Sequence, residues 1–223
     1  VGQTASYDFP LVGAVQEQVL GFDAFAAQLS ADGSTVIRST PIGGAGFDTV
    51  TYRKASGGVN VNLGAGTAIG GAGNDTLANL EGVIGSDFAD TLIGSAGADQ
   101  LWGGAGNDQL QGSGGADMLN GGEGDDALLG DSTDIAIAHH GADQLLGGPG
   151  NDGILGGGGD DFIDAGDGAD QASGQAGADT IRGGAGNDQL VGDGAGVALT
   201  DQGDDDIDGG AGDDLIDGNG GDD

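Results

Sequence analysis

The sequence predicts an all-β solenoid built from short repeated units, and three observations support this prediction. A nine-residue pattern, G-G-x-G-x-D-x-U-x with U an aliphatic residue, recurs along most of the chain, as from Gly103 to Gln111. Glycine makes up 54 of the 223 residues and clusters in the first half of each repeat, where it permits tight turns. One aliphatic residue follows each aspartate by two positions. We expect six residues of each repeat to form a turn and three to form a short strand, whose middle residue is the one side chain offered to a core. Such a pattern is typical of parallel β-helices.

The composition limits both the fold and the partners. A net charge of −33 with few aromatic residues would favour disorder, and only the regular spacing of the aliphatic residues predicts a folded chain. Four Lys plus Arg against 37 Asp plus Glu argue against nucleic acid or an acidic polysaccharide as a partner. No apolar run is long enough for membrane insertion, and the absence of cysteine excludes disulfides and thiolate metal sites.

The two ends of the sequence suggest a piece of a longer protein. The chain starts at Val1 without a methionine or a signal peptide, and it stops inside a motif at Asp223. We therefore expect any targeting segments to lie outside it.

An aspartate at motif position six marks each repeat of the array. Most intervals between these aspartates are nine residues, one is fifteen and two are seventeen, which predicts a stack of similar coils. The aspartates are Asp75, Asp90, Asp99, Asp108, Asp117, Asp126, Asp143, Asp152, Asp161, Asp170, Asp179, Asp188, Asp205, Asp214 and Asp223. The aliphatic positions after them are Leu77, Leu92, Leu101, Leu110, Leu119, Leu128, Leu145, Ile154, Ile163, Ala172, Ile181, Leu190, Ile207 and Ile216.

The period divides the chain into three parts. Residues 1–42 lack it, and we expect an N-terminal cap or the tail of an upstream domain there, with a helical face over residues 19–29. Residues 43–84 are predicted to be irregular opening coils, and the alternation of apolar and polar residues over 59–63 predicts a half-buried strand. Residues 85–223 form the regular array.

Two inserts, at residues 130–140 and 192–202, interrupt the regular array. The segment from Gly130 to Gly141 aligns without a gap on the segment from Gly192 to Gly203, so the same loop is used twice. If two repeats make one coil, both loops leave the same edge of the stack, because they precede Asp143 and Asp205. We expect their apolar centres to fold back over outward-facing aliphatic residues of the strands. These centres are Ile135 and Ile137 in the first insert and Val197 and Leu199 in the second.

The turns are rich in oxygen ligands. Each combines an aspartate carboxylate with glycines whose backbone carbonyls can point inward at close range. Ca²⁺ takes about six to eight oxygen ligands, whereas Zn²⁺ prefers nitrogen and sulfur ligands, which are scarce here. His139 and His140 are the only histidines; we favour a surface pair, and the alternative is a metal or catalytic role.

On these motifs the chain resembles the calcium-binding nonapeptide array of the RTX (repeats-in-toxin) family of secreted bacterial proteins. The resemblance implies a right-handed parallel β-roll, or β-helix, solenoid with two nonapeptides per coil. It also implies that each turn holds one Ca²⁺ against the turn two motifs later, with ligands from the aspartate carboxylates and glycine carbonyls of both turns. Six such pairs on each edge would bind about twelve Ca²⁺.

The resemblance assigns the ligands residue by residue. One edge would carry Asp90, Asp108, Asp126, Asp152, Asp170, Asp188 and Asp214, and the other Asp99, Asp117, Asp143, Asp161, Asp179, Asp205 and Asp223, with Asp75 as an earlier site. The glycines expected to contribute are Gly97, Gly104, Gly106, Gly115, Gly122, Gly124, Gly141, Gly148, Gly150, Gly157, Gly159, Gly168, Gly177, Gly184, Gly186, Gly203, Gly210 and Gly212.

Function follows from this dependence on metal. Unneutralised rows of carboxylates repel each other, and a core of one aliphatic residue per strand cannot offset the chain entropy, so we expect the array to fold only with Ca²⁺. The sequence contains no nucleophile elbow, H-E-x-x-H zinc helix or phosphate-binding loop, so we do not expect an enzyme.

The resemblance further implies export by type I secretion machinery and an extracellular or cell-surface location. We expect a structural spacer in a surface adhesin or S-layer-like protein, with a protein or carbohydrate ligand at the cell surface. The alternative is a C-terminal folding and secretion module of a secreted hydrolase, either a protease or a lipase, or of a polysaccharide-modifying enzyme.

Overall fold

A computed structural model describes residues 25–29, 36–41, 46–132, 140–195 and 197–221. Within these ranges the chain forms twenty β-strands joined by turns. In this part of the chain no helix is long and apolar enough to cross a membrane.

The strands are short and follow one another at regular intervals. In chain order they are β1 (Phe25–Leu29), β2 (Val36–Pro41), β3 (Thr49–Thr51), β4 (Val59–Asn62), β5 (Thr67–Gly70), β6 (Gly73–Thr76), β7 (Gly82–Ile84), β8 (Thr91–Ile93), β9 (Gln100–Ala105), β10 (Gln109–Ser113), β11 (Met118–Glu123), β12 (Ala127–Asp131), β13 (Gln144–Pro149), β14 (Gly153–Gly158), β15 (Phe162–Asp167), β16 (Gln171–Ala176), β17 (Thr180–Ala185), β18 (Gln189–Asp193), β19 (Asp206–Ala211) and β20 (Leu215–Asp217).

Two sheets make up the stack. One has ten strands in the order β20-β18-β16-β14-β12-β10-β8-β4-β5-β6, and the other has eight in the order β19-β17-β15-β13-β11-β9-β7-β3. From β7 onward, successive strands alternate between the sheets, and each pairs in parallel with the strand two places later. Two nonapeptides therefore make one coil, and the predicted β-roll solenoid is confirmed.

From Leu92 to Leu190, the aliphatic residue of each repeat is the second residue of its strand and points into the core, whereas Ile216 in the last coil is exposed. In β13, Leu145 is fully buried and its neighbours Gln144 and Leu146 are more exposed, because successive side chains alternate between the two faces of a strand. The parallel register stacks Leu119, Leu145 and Ile163 in one column. The buried residues of the two columns in the regular array are Leu92, Leu101, Leu110, Leu119, Leu128, Leu145, Ile154, Ile163, Ala172, Ile181 and Leu190.

Most strands of the regular array are longer than the expected three residues. They run over five or six residues and extend into positions one to three of the next motif, as β13 extends to Pro149. Position one therefore also faces inward, and Gly147 occupies it in β13. The expectation of a six-residue turn was wrong because the glycine positions continue the parallel pairing of the strands.

Neither insert disturbs this register. Leu119 pairs with Leu145 across the first insert, and Ile181 pairs with Ile207 across the second. Both inserts lie where the chain passes from the ten-stranded to the eight-stranded sheet, since they follow β12 and β18. The predicted placement of both loops on one edge is confirmed.

The opening segment differs from the regular array. β4, β5 and β6 form an antiparallel meander at one end of the ten-stranded sheet. The strand predicted over 59–63 is confirmed by β4, in which Val59 and Val61 are buried. The helix expected over 19–29 was wrong for its described part, because Phe25–Leu29 is a strand paired antiparallel with β2. Antiparallel pairing with the next strand along the chain overrides the local helical spacing of the apolar residues.

Candidate metal centre

The turns of the regular array bring their aspartates together in two rows. The turns that lead into the ten-stranded sheet carry the first row, and those that lead into the eight-stranded sheet carry the second row. The first row is Asp90, Asp108, Asp126, Asp152, Asp170, Asp188 and Asp214, and the second row is Asp99, Asp117, Asp143, Asp161, Asp179 and Asp205. This is the pairing expected from the sequence. Asp223, expected at the end of the second row, lies outside the described residues.

One hydrogen bond repeats along both rows. The backbone N–H of each aspartate donates to Oδ1 of the aspartate in the next coil, as from Asp108 to Asp126 at 2.8 Å. The distances run from 2.7 to 3.0 Å over six links of the first row and five of the second. The carboxylates are thereby stacked at the spacing of neighbouring strands, about 4.8 Å.

The second oxygen of most row carboxylates is buried and accepts no hydrogen bond from the described residues. An anionic oxygen in this state is costly, because it has lost its water and gained no partner. A bound cation or a proton would neutralise this oxygen. The oxygens are Oδ1 of Asp99 and Oδ2 of Asp108, Asp117, Asp126, Asp143, Asp152, Asp161, Asp170, Asp179 and Asp188.

Six of these oxygens lie close to the position-one glycine of their own turn and to a backbone carbonyl of the next coil. A Cβ built on Gly103 would collide with Oδ2 of Asp108 and would lie 2.5 Å from the carbonyl oxygen of Gly121. A Cβ built on Gly112 would meet Asp117 and Gly130 in the same way. A carboxylate oxygen and a carbonyl oxygen from successive coils thus converge at the six turns that carry Asp108, Asp117, Asp143, Asp152, Asp161 and Asp188.

The glycines at motif positions two and four direct further carbonyls along the stack. Gly122 and Gly124 have φ angles of 109° and 128°, which few residues other than glycine adopt. A Cβ on either would overlap the carbonyl oxygen of the equivalent glycine one coil earlier, Gly104 or Gly106. The space between two turns is therefore lined by carboxylate and carbonyl oxygens. This donor set fits Ca²⁺.

Burial makes several row carboxylates weaker acids than free aspartate, because it raises their pKa values. It raises the pKa of Asp161 to about 9, and the charges of Asp143 and Asp179 add to this, while the N–H of Asp143 acts in the opposite direction. Burial likewise raises the pKa of Asp117 to about 8 and that of Asp108 to about 7, again against the N–H of the preceding coil. Without a cation, burial therefore favours the protonated form of these three carboxylates.

The first carboxylate of the first row is satisfied by the protein. Oδ1 of Asp90 accepts hydrogen bonds from the N–H of Val59 at 2.7 Å and from the hydroxyl of Ser86 at 2.9 Å, and Oδ2 accepts from the N–H of Ser86. Ser86 stands where the other turns of the first row have the position-two glycine. Asp90 therefore differs from Asp108, Asp126, Asp152, Asp170 and Asp188 of its row, whose second oxygen has no hydrogen-bond donor among the described residues.

Asp75 lies apart from both rows. It belongs to β6 of the antiparallel meander and pairs there with Ala68. Its Oδ2 accepts a hydrogen bond from the Tyr52 hydroxyl at 3.1 Å, and burial raises its pKa. The structure thus does not bring this predicted ligand to the position of the row aspartates.

Two buried acids were not singled out from the sequence, although the alignment of the inserts contains them. Asp131 and Asp193 stand at motif position two of the turns that carry the inserts, and their exposed fractions are 2% and 0%. The Nδ1 atom of His140 lies 3.4 Å from Oδ2 of Asp131. The signal was the repeated Gly-Asp at the start of each insert, Gly130-Asp131 and Gly192-Asp193.

The second insert does not cover the strands with its whole apolar centre. Leu199 is 88% exposed, whereas Val197 is partly buried. The expectation that Leu199 folds back over aliphatic side chains of the sheets was therefore wrong, because the described part of the loop turns its side chain to solvent. The centre of the first insert, Ile135 and Ile137, and His139 lie outside the described residues.

Comparison with known families agrees with this geometry. The family model of the RTX calcium-binding nonapeptide repeat matches in six segments, which together cover more than half of the chain. No curated protein matches the chain. The matched segments are residues 62–78, 84–119, 102–134, 137–172, 164–196 and 197–223.

Proposed function

Because the chain belongs to the RTX calcium-binding nonapeptide-repeat family, we propose that its calcium sites drive the folding of a structural spacer in a secreted protein. The observation that carries this proposal is the repeated buried carboxylate oxygen without a hydrogen-bond donor, as at Asp126 and Asp152. A fold that contains many such oxygens is unstable unless each is neutralised.

The chain's own residues explain how folding would depend on the ion. Each turn offers the second oxygen of its row aspartate and carbonyl oxygens from two coils, as at Asp108 and Gly121. Bound Ca²⁺ supplies the positive charge that this oxygen set lacks. The apolar core contributes one column of aliphatic side chains per sheet, so burial alone does not balance the entropy of ordering a chain with a net charge of −33.

The role as a spacer is supported by the architecture. The coils contact their neighbours through continuous parallel strands, as from β8 through β20 in the ten-stranded sheet. A stack of this kind is stiff along its axis, since each coil is fixed by the two beside it. We propose about twelve Ca²⁺ for the full array, with no catalytic role for its carboxylates.

The setting of this module is proposed on chemical grounds. A polyanionic chain that cannot fold until calcium arrives is suited to leave the cell unfolded through type I secretion machinery and to fold outside. We propose an extracellular protein, with the array as a spacer of a surface adhesin or S-layer-like protein.

A calcium titration monitored by far-ultraviolet circular dichroism tests the folding proposal. Starting in chelator at pH 7.5, we expect a cooperative change from coil to β-structure as Ca²⁺ is added, reversed by excess chelator. Mg²⁺ at the same concentration is the control and should not substitute, because it requires a strict octahedral site and keeps its waters. Full β-structure in excess chelator at this pH would contradict the proposal.

A further inference from the structure

The turns that carry the inserts differ chemically from the other turns of the second row. Position two holds Ser95, Ser113, Gly157 and Gln175 in the other described turns of the second row, whereas the insert turns have Asp131 and Asp193 there. Both side chains are buried, with exposed fractions of 2% and 0%. Each insert turn thus contains two buried carboxylates, one at position two and one at position six.

The Asp131 side chain reaches into the space between its own turn and the next one. Oδ2 accepts a hydrogen bond from the N–H of Gly158 at 3.0 Å. A Cβ built on Gly157 would lie 2.8 Å from the same oxygen, so the carboxylate is packed directly against the following turn. His140, at position three of the insert turn, places Nδ1 3.4 Å from Oδ2.

The other oxygen of Asp131 is an independent indication of a ligand. Oδ1 is buried and accepts no hydrogen bond of normal geometry from the described residues. A buried carboxylate oxygen without a donor is costly unless a cation or a proton neutralises it.

The second insert repeats the arrangement. A Cβ built on Gly220 of the next turn would lie 2.7 Å from Oδ2 of Asp193. The N–H of Asp193 donates to the carbonyl of Gly218 at 3.2 Å, and its carbonyl accepts from the side-chain amide of Asn219 at 2.8 Å. Gln202 stands where the first insert has His140, and its Oε1 is directed at the same glycine.

We propose that Asp131 and Asp193 are direct ligands of a divalent cation, so that each insert turn forms a calcium site with one more carboxylate than the other turns of its row. This proposal rests on the proposed calcium-dependent folding. Affinity of oxygen sites for Ca²⁺ rises with the number of charged ligands. The two insert sites are thus the tightest of the second row, and the inserts are loops that bring an acid to position two.

The substitutions Asp131→Asn and Asp193→Asn test the proposal, with Asp125→Asn as the matched control. Asn keeps the size of the side chain and an oxygen for the Gly158 N–H, and removes the charge. Asp125 is exposed at position five, where neighbouring turns already carry Asn107 and Asn151. In calorimetric titration we expect one tight site of each test variant to bind Ca²⁺ about tenfold more weakly. The Ca²⁺ affinities of the control should match those of the original protein.

The outcomes of these titrations distinguish the ligand assignment from the calcium-dependent folding on which it rests. If the unmodified protein binds no Ca²⁺, the folding proposal fails. If it binds Ca²⁺ and both test variants titrate like Asp125→Asn, only the ligand assignment is overturned.

A crystal structure of the calcium-loaded protein decides the case even if the variants do not fold. A cation about 2.3–2.6 Å from a carboxylate oxygen of Asp131 and of Asp193 is the expected result. Carboxylates of both residues lying outside the coordination sphere of every cation would overturn the assignment.

Discussion

The backbone N–H of Asp117 donates to Oδ1 of Asp143 at 2.8 Å, although the first insert lies between them. The same bond joins Asp99 to Asp117 at the same distance without an insert. The alignment of the row is thus set by the stacked coils and not by the length of the chain that connects them. A longer surface loop adds little entropy cost when its two ends are fixed by such a stack.

Removing one row charge should weaken calcium-dependent folding. In Asp126→Asn the amide oxygen still accepts from the Asp108 N–H, so the substitution removes mainly the charge of the second oxygen. We expect the stability at saturating Ca²⁺ to fall by about 1–3 kcal/mol. Urea unfolding in Ca²⁺ measures the change, and Asp125→Asn is the control next to it in the chain. Equal stability of the two variants would contradict a role for the row carboxylate.

Two glycines of one repeat should respond in opposite ways to substitution by alanine. Gly150 has a φ angle of 150°, and a Cβ there would collide with the Gly124 carbonyl, so Gly150→Ala should cost about 1–3 kcal/mol. A Cβ on Gly153 would meet nothing nearer than 4.0 Å, so Gly153→Ala should be neutral or stabilise by about 0.4–1 kcal/mol. Thermal unfolding in Ca²⁺ compares the two. Similar losses in both variants would show that the close carbonyl contacts do not govern the turn.

Two adjacent leucines of β12 point to opposite faces of the sheet. Leu128 is 2% exposed in the core column, and Leu128→Ala should destabilise the calcium-loaded protein by roughly 2–5 kcal/mol because it leaves a cavity. Leu129 is partly exposed, and Leu129→Ala should cost less than about 1 kcal/mol. Denaturant unfolding at fixed Ca²⁺ gives both values. A larger loss for Leu129→Ala would contradict the inward orientation of the aliphatic motif position.

Protonation at low pH should replace bound Ca²⁺ in neutralising the row carboxylates, and so should allow the chain to fold without metal. The folded pKa values of about 6 for Asp126, 7 for Asp108, 8 for Asp117 and 9 for Asp161 lie above the ordinary value of 3.8. A raised folded pKa favours the protonated folded state, so its stabilising effect is complete below the unfolded pKa and is lost as pH rises through the folded pKa. In chelator we therefore expect β-structure near pH 4 that disappears as pH rises through about 6 to 9.

Circular dichroism against pH, with chelator or with saturating Ca²⁺, measures this effect. Asp161→Asn is the informative variant, because it is neutral at every pH and should extend the metal-free β-structure to higher pH. A chain that stays unfolded in chelator at pH 4 would show that neutralising the rows is insufficient for folding.

The resemblance to the RTX family implied two nonapeptides per coil, and with the intervals between aspartates this predicted which turns pair in the rows. The sequence also predicted the core, since Leu119 and Leu145 hold the same motif position on both sides of an insert. The helical spacing of the apolar residues did not show that β1 is a strand, because antiparallel pairing with β2 outweighs this local pattern. Local patterns also could not show that Asp90 is satisfied by Val59, which lies 31 residues earlier.

The buried carboxylates at the inserts illustrate a different limit. Asp131 stands one residue after a motif glycine, and only the neighbouring coil, through Gly158, shows that its side chain is buried between turns. The sequence shows that this Gly-Asp pair occurs twice, but the surroundings of Asp131 depend on how the coils stack.

The hydrogen bonds along the rows all run in one direction, from the N–H of one coil to the carboxylate of the coil that follows it in the chain. A coil added at the C-terminal end therefore finds a donor already in place, whereas the first coil needs donors from elsewhere, as Asp90 obtains from Val59 and Ser86. The stack therefore has a direction along its axis. Its two ends are unequal as templates, because the C-terminal end offers backbone N–H donors and the N-terminal end offers carboxylate acceptors.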